Sequence, residues 1–207
     1  MIAPANLDKI FGQIDIYLFD QLLRERIPRG SQILDAGCGN GRNVHYLLDA
    51  GYDVFATDVK PDAIGEVLRM AARLNASLPP TNFRLEPVEK MSFTDESMDV
   101  VLSIAVLHFA RDESGFTAML ESMWRVLRPG GLFFCRLASD IGMETRMKRI
   151  AGRRHLLPDG SERYLVDEAY LLDWTNRLGG ALLDPLKTTI VQDQRCMTTW
   201  VLRKGSE

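Results

Sequence analysis

Apolar positions along this chain follow two alternating rhythms. Short apolar runs at Gln32–Asp35, Asp53–Asp58, Asn82–Leu85, Asp99–Ile104 and Leu132–Leu137 read as buried strands. Between them the spacing turns helical. Arg42–Ala50 carries Val44, Leu47 and Leu48 on one face and stops at Gly51. Pro61 suits the first turn of a helix that points Ile64, Val67, Leu68 and Ala71 inward. Phe116–Leu127 is a further helix, with Pro129-Gly130-Gly131 as its terminator and turn.

Strands spaced by helices imply βαβ units, hence an α/β fold with a doubly wound, mostly parallel sheet. The rhythm changes at both ends. Residues 1–30 predict a helical leader: Leu7, Ile10, Phe11, Ile14, Leu18 and Leu22 recur at helical spacing, Gly12 offers a break, and Pro28-Arg29-Gly30 ends it. Residues 139–166 predict an irregular or partly helical insert, a lid on the substrate side. As a helix it would carry Met143, Met147 and Ile150 on one face and Arg146, Arg149 and Arg153 on another. Asp167 then caps a helix running to Leu178, with Gly179 past its end. Leu182–Gln192 and Arg195–Arg203 read as two long strands around a tight turn at Asp193, a C-terminal antiparallel hairpin that brings the sheet to seven strands. One domain over residues 1–207 is expected.

Composition narrows the function classes. With 207 residues, 46% hydrophobic and 26% charged, the chain is rich enough in apolar groups to bury a core. Lys plus Arg number 25 against 28 Asp plus Glu, a formal charge of −3, so no basic excess suits a nucleic-acid backbone. The longest apolar run, Val100–Ala110, is broken by Ser103 and His108 and falls well short of the ~20 residues that span a bilayer. Asp8, Lys9, Asp15 and Asp20 interrupt any apolar stretch near the start, so no secretory signal is expected. Cys38, Cys135 and Cys196 are odd in number, widely spaced and form no metal-ligand motif with the three histidines. A reduced, cytoplasmic, metal-free protein is expected.

Chemistry concentrates at Leu34-Asp35-Ala36-Gly37-Cys38-Gly39-Asn40-Gly41-Arg42-Asn43, where a strand runs through glycines into a helix start. Such loops lie at the carboxyl ends of open α/β sheets, where ligands bind. Gly37 and Gly39 match the dinucleotide fingerprint, but Arg42 stands at its third glycine. Asp35 at the strand end would repel a pyrophosphate and attract a cation. S-adenosylmethionine carries a sulfonium and an ammonium and no phosphate, so the sign of the charge favours it. Asp58 ends the next strand, where a carboxylate accepts from ribose hydroxyls, as it would for a nicotinamide cofactor. The plainer alternatives are a helix cap for Asp35 and a solvated strand end for Asp58.

This stretch resembles motif I of class I S-adenosylmethionine-dependent methyltransferases, and LDAGCGNGRN followed by AGYDVFATD is especially similar to their tellurite-resistance branch. Ser97–Ser103 resembles the family's fourth strand and Arg125–Gly131 its post-helix turn, so the likeness covers Ser31–Leu137. The resemblance implies a Rossmann-like fold, S-adenosylmethionine as cofactor and S-adenosylhomocysteine as product. It implies that Asp35, Gly37 and Gly39, with Asn40 and Arg42 beside them, hold the methionine end. Asp58 would take the ribose, Val59 the adenine face, and Val88 and Glu89 the adenine edge. Many members have Asp where Pro87 stands, which leaves Glu89, Glu86 or the Val88 amide for adenine recognition. Ser103 would offer its carbonyl to the ammonium. Tyr17 would cover the cofactor, unless it is simply a core aromatic.

The acceptor side is less defined. Displacement at a sulfonium methyl relies on positioning, and a base is needed only if the acceptor must lose a proton. His108, just after the fourth strand, is the candidate base; it would otherwise hydrogen-bond the backbone. Arg146, Lys148, Arg149, Arg153 and Arg154 place five positive charges together without an acid, either a solvated face or a welcome for an anionic acceptor. Tyr164 follows the Pro158-Asp159-Gly160 turn and is a further substrate-side candidate. The reading is a methyltransferase acting on a small molecule, with no nucleic-acid partner. The alternatives are a cofactor-binding regulatory protein without turnover and a nucleic-acid methyltransferase. Exocyclic-amine enzymes of the latter kind carry Pro-Pro and an aromatic where this chain has Ile104-Ala105-Val106.

Overall fold

The computed structural model describes residues 7–206; the first six residues of the expected leader lie outside them. Leu7–Phe11 (α1) and Ile16–Leu23 (α2) are helical, with the break at Gly12. Asp15 caps α2 by accepting from the Tyr17 N–H. Leu18 is fully buried, but Leu7 is 62% exposed and Ile10 is exposed too. The five-residue α1 reaches the body of the protein through Phe11, whose ring meets Phe19 and Tyr46.

The alternating region follows the apolar pattern. It runs β1 (Gln32–Ala36), α3 (Val44–Asp49), β2 (Asp53–Asp58), α4 (Pro61–Leu74), β3 (Phe83–Leu85), β4 (Met98–Ile104), α5 (Glu113–Val126) and β5 (Leu127–Ala138). The helix expected from Arg42 begins at Val44, because Gly41 and its neighbours are spent on the turn. Pro129-Gly130-Gly131 is no turn: β5 already starts at Leu127, and the segment forms an irregularity where the β4–β5 register shifts between Met98 and Val100.

The insert is a correction. Residues 139–166 hold a single 3-10 turn and a three-stranded antiparallel meander, β6 (Lys148–Ala151), β7 (Arg154–Leu156) and β8 (Glu162–Tyr164). Gly152 and Pro158-Asp159-Gly160 cut the segment into pieces too short for a helix, so no arginine face forms: Met143 is buried while Ile150 is 49% exposed.

Asp167 caps α6 (Glu168–Arg177) as expected, accepting from the Tyr170 N–H. Three strands follow: β9 (Gly180–Leu182), β10 (Lys187–Val191) and β11 (Arg195–Lys204). The long strand expected over 182–192 is interrupted, because Asp184 turns inward to Gln21 and Arg26, and Pro185 has no N–H to give.

The main sheet runs β3-β2-β1-β4-β5-β11-β10, with β9 also paired to β11. β1 to β5 are parallel and β11 is antiparallel to β5, the doubly wound arrangement expected. Leu18, Leu47, Ile64 and Val67 belong to the apolar cluster on one face; Phe116, Leu120, Leu171 and Trp174 belong to the cluster on the other. The chain leaves β1 toward β2 and β3, then returns to β4 on β1's other side. That reversal opens a crevice beyond the carboxyl ends of β1 and β4.

Candidate functional site

A cavity of about 450 Å³ occupies this switch point. Gly37, Cys38, Gly39 and Asn40 line it from the loop after β1, Asp58, Val59 and Lys60 from the end of β2, and Ile104, Ala105 and Val106 from the end of β4. The loop must be glycine at two points. Gly37 has φ 81°, and a Cβ there would lie 2.6 Å from a Val106 methyl; Gly41 has φ 79°, and its Cβ would lie 2.9 Å from a Val67 methyl. The Gly37 and Cys38 amides donate to the Thr57 carbonyl at 2.8 and 3.0 Å. Asp58 ties the two strand ends together: its Oδ2 accepts from the Gly39 N–H and its Oδ1 from the Lys60 N–H, both at 2.9 Å. Each of these oxygens keeps a second lone pair.

Asp35 lies beneath the loop, 1% exposed, and its Oδ2 is buried without a partner. Burial pushes its pKa up to about 7; the Arg42 guanidinium works against that rise and the Asp58 carboxylate adds to it. Burial, with the Asp35 and Asp58 charges, also lifts the Cys38 thiol far above the ordinary range, so Cys38 is no nucleophile. Cys135 and Cys196 are likewise buried and unpaired. Among the described residues, no cluster of His, Cys, Asp and Glu suited to a metal ion occurs.

Other sequence-predicted residues fall into three groups. Val59 stands 63% exposed at the cavity, Val88 is buried in its wall and Glu89 is exposed at its edge. Glu86 is committed to Ser92, whose N–H and hydroxyl it accepts at 3.0 and 2.7 Å, which leaves Glu89 as the carboxylate on this side. Ser103 is fully buried opposite Cys135, one step below the lining residues Ile104 and Ala105. Tyr17 is not brought to the cavity: its hydroxyl lies 2.7 Å from Thr189 Oγ1 and the Arg136 guanidinium sits 5.3 Å from its ring centre. The leader contributes Asp15 nearby instead, paired with Arg136 at 2.9 Å while its N–H donates to Asn43 Oδ1.

A second cavity, of about 350 Å³, shares Arg42, Ala105 and Phe109 with the first and runs under the meander. His108 borders it, 5% exposed. Its Nδ1 accepts from the Ala138 N–H at 3.1 Å, so the ring hydrogen resides on Nε2. Burial and the Arg163 charge lower its pKa to about 4. This overturns His108 as a base: its one lone pair is spent on the backbone, and what it offers is an N–H.

The predicted substrate-side arginines do not converge. Arg146 pairs with Asp193 at 2.9 Å, Arg149 donates to the Gly152 carbonyl at 2.8 Å, and Arg153 pairs with Asp167 at 2.8 Å beneath the Tyr170 ring. Arg154 pairs with Glu162. Tyr164 is turned into the core, stacked on Phe116 with its hydroxyl 2.9 Å from that of Tyr170. Arg154 and Tyr164 meet His108 only at a separate crevice of about 240 Å³. Sequence reading missed Ala105, a non-glycine residue at φ 62°, and Phe109, 61% exposed between the two cavities. The run after β4 was legible; which of its residues face the cavities depends on the 3-10 turn Leu107–Phe109.

Residues 34–135 match the family described as a methyltransferase domain. The chain is 33% identical over 129 residues to YodH, an uncharacterized methyltransferase of Bacillus subtilis, covering 62% of this chain and 49% of that protein. It is 34% identical over 143 residues to a ubiquinone biosynthesis O-methyltransferase of Methylocella silvestris, covering 63% and 54% respectively. The chain thus spans about half the length of these curated relatives. In fold it is similar to the Burkholderia thailandensis 1,6-didemethyltoxoflavin-N1-methyltransferase, crystallised with 1,6-didemethyltoxoflavin and S-adenosylhomocysteine. The TM-score is 0.69 at 20% identity, over 94% of this chain and 80% of that one. These likenesses bear on the domain as a whole and not on a tellurite-resistance branch.

Proposed function

We propose that this chain, whose residues 34–135 match the methyltransferase-domain family, is a class I S-adenosylmethionine-dependent methyltransferase that transfers a methyl group to a small-molecule acceptor. The observation that carries this reading is Asp35: a carboxylate buried beneath the glycine loop that lines the cavity, with one oxygen unpartnered, while a second carboxylate, Asp58, lines the cavity itself. A cation near Asp35 answers the orphaned oxygen; a diphosphate there would add negative charge to a site already short of positive charge. The residues present therefore fit this cofactor.

In this reading the loop from Gly37 to Asn40 and the Asp35 carboxylate hold the methionine end, aided by Arg42. The free lone pairs of Asp58 accept from the ribose hydroxyls. Val59 and Val88 flank the adenine, and Glu89 faces its edge. Ser103, near the end of β4, is given the ammonium through its backbone carbonyl. When bound, S-adenosylmethionine supplies a methyl carbon whose bond to sulfur breaks as the acceptor's electron pair attacks, leaving S-adenosylhomocysteine. The chain's part is to align the acceptor and exclude water. His108 takes no proton, so any proton the acceptor must lose goes to another group.

A net charge of −3 and a small, partly closed second cavity favour a small acceptor over a nucleic acid, and three unpaired buried cysteines suit the cytoplasm. The test is calorimetry with S-adenosylmethionine, then assay of S-adenosylhomocysteine after incubation with the small-molecule or the RNA fraction of a cell extract. Binding by the wild type, turnover with the small-molecule fraction, and loss of both in Asp58→Ala are expected. No binding sinks the reading, binding without turnover points to a regulatory protein, and turnover only with RNA points to a nucleic-acid enzyme.

A further inference from the structure

Building on that reading, we propose that the second cavity holds the methyl acceptor by a carboxylate group, gripped by Arg136, Arg163 and Arg195 and by the Nε2–H of His108. None of these arginines is close to another in sequence. Arg136 comes from the end of β5, Arg163 from β8 in the meander and Arg195 from the start of β11, and all three line one space. Arg42 adds a fourth guanidinium at the boundary with the cofactor cavity.

The charge around this space is unbalanced. The one carboxylate in its lining is Asp159, whose Oδ1 accepts from the Ser161 N–H at 2.9 Å and the Ser161 hydroxyl at 2.6 Å. That hydroxyl, with the Arg163 and Arg195 charges, holds its carboxyl below the ordinary range, so one carboxylate stands against four guanidinium groups. Asp15 takes one nitrogen of Arg136, but the Arg136 Nε is buried without a partner. Arg163 gives one nitrogen to the Glu162 carbonyl at 2.7 Å and lies 4.8 Å from the Phe109 ring centre, which fixes it at the wall. Among the described residues, neither Arg195 nor Arg42 has a carboxylate within ion-pair distance. Gathering guanidinium groups around a partly closed cavity is unfavourable unless an anion completes the set. Their planar donor forks match a carboxylate in two-point fashion.

The rest of the lining selects what carries the carboxylate. Leu157, Val191, Met197 and Ala138 are apolar, as is the Phe109 ring shared with the cofactor cavity. A volume of about 350 Å³ is at the small end for an organic ligand. An acid with a compact apolar body satisfies both walls. His108 sharpens the choice, because its ring orientation is locked by the Ala138 amide and it presents only a donor. A donor beside arginines favours an anion over a neutral amine or amide.

The probe is 4-fluorobenzoate, compared with its uncharged counterpart 4-fluorobenzamide. Each is titrated by fluorine NMR into the protein, with and without S-adenosylhomocysteine, for wild type, Arg163→Gln and Arg195→Gln. The acid should bind about tenfold or more tightly than the amide, and either variant should lose about tenfold for the acid alone while keeping its S-adenosylhomocysteine affinity. Equal binding of acid and amide overturns the proposal, as does acid binding unchanged in both variants. Inorganic phosphate displacing the acid at lower concentration than the acid's own dissociation constant also overturns it, in favour of a phosphorylated acceptor. Failure of S-adenosylhomocysteine to bind counts separately, against the methyltransferase reading, since the acid-versus-amide comparison is also made without it.

Discussion

Two adjoining cavities share Arg42, Ala105 and Phe109 and are built in opposite ways. The cofactor side is made of backbone: a glycine turn, amides held by Asp58, and strand tips fixed by the parallel ladder. The second cavity, proposed for the acceptor, is lined by long side chains reaching from β5, β8 and β11. Backbone geometry tolerates little change and recurs wherever the same ligand is held. Long side chains can be exchanged one at a time without disturbing the sheet, so the proposal puts specificity there.

The largest effect expected is therefore on the backbone side. Gly37→Ala meets both a left-handed φ and the Val106 methyl at 2.6 Å, and should cost about 2–4 kcal/mol of stability and abolish cofactor binding. Thermal melting with calorimetry checks this, and a variant of wild-type stability and affinity would break the contrast. Asp15→Asn should act on the other side. Removing the Asp15 charge at 2.9 Å leaves the Arg136 guanidinium uncompensated beside the second cavity, so cofactor affinity should stay within about twofold while KM for an anionic acceptor falls about fivefold to tenfold, a KM-against-kcat split read by steady-state kinetics. Smallest is Ala105→Gly, which relieves φ 62° and should stabilise by about 1 kcal/mol in denaturant titrations.

What was legible in the sequence divides along the same line. That Gly37, Gly39 and Asp58 gather at one cavity with Asp35 beneath the loop could be read, because two neighbouring strand ends, a turn and a helix start dictate it. The parallel sheet followed from apolar runs set between helical periods. The meander was not legible, since Met143, Met147 and Ile150 mimic a helical spacing that Gly152 and Pro158 cut short. Nor could Arg136, Arg163 and Arg195 be grouped, as only strand pairing and the fold of the insert bring them together. The role of His108 turned on one long-range hydrogen bond to Ala138, which no local pattern encodes.

The pH dependence of S-adenosylmethionine affinity tests the role of Asp35 most directly. In the free protein its folded pKa of about 7 lies above the ordinary 3.8. The folded state thus holds a proton the unfolded chain has lost, and stability should fall as pH rises from about 4 to about 7. A cationic ligand binds the ionised form, so affinity should climb about tenfold or more between pH ~5.5 and ~7.5 in the wild type. In Asp35→Asn it should be weak and flat. Wild-type affinity that does not change with pH, or an Asn variant that binds as tightly as wild type, would contradict the account.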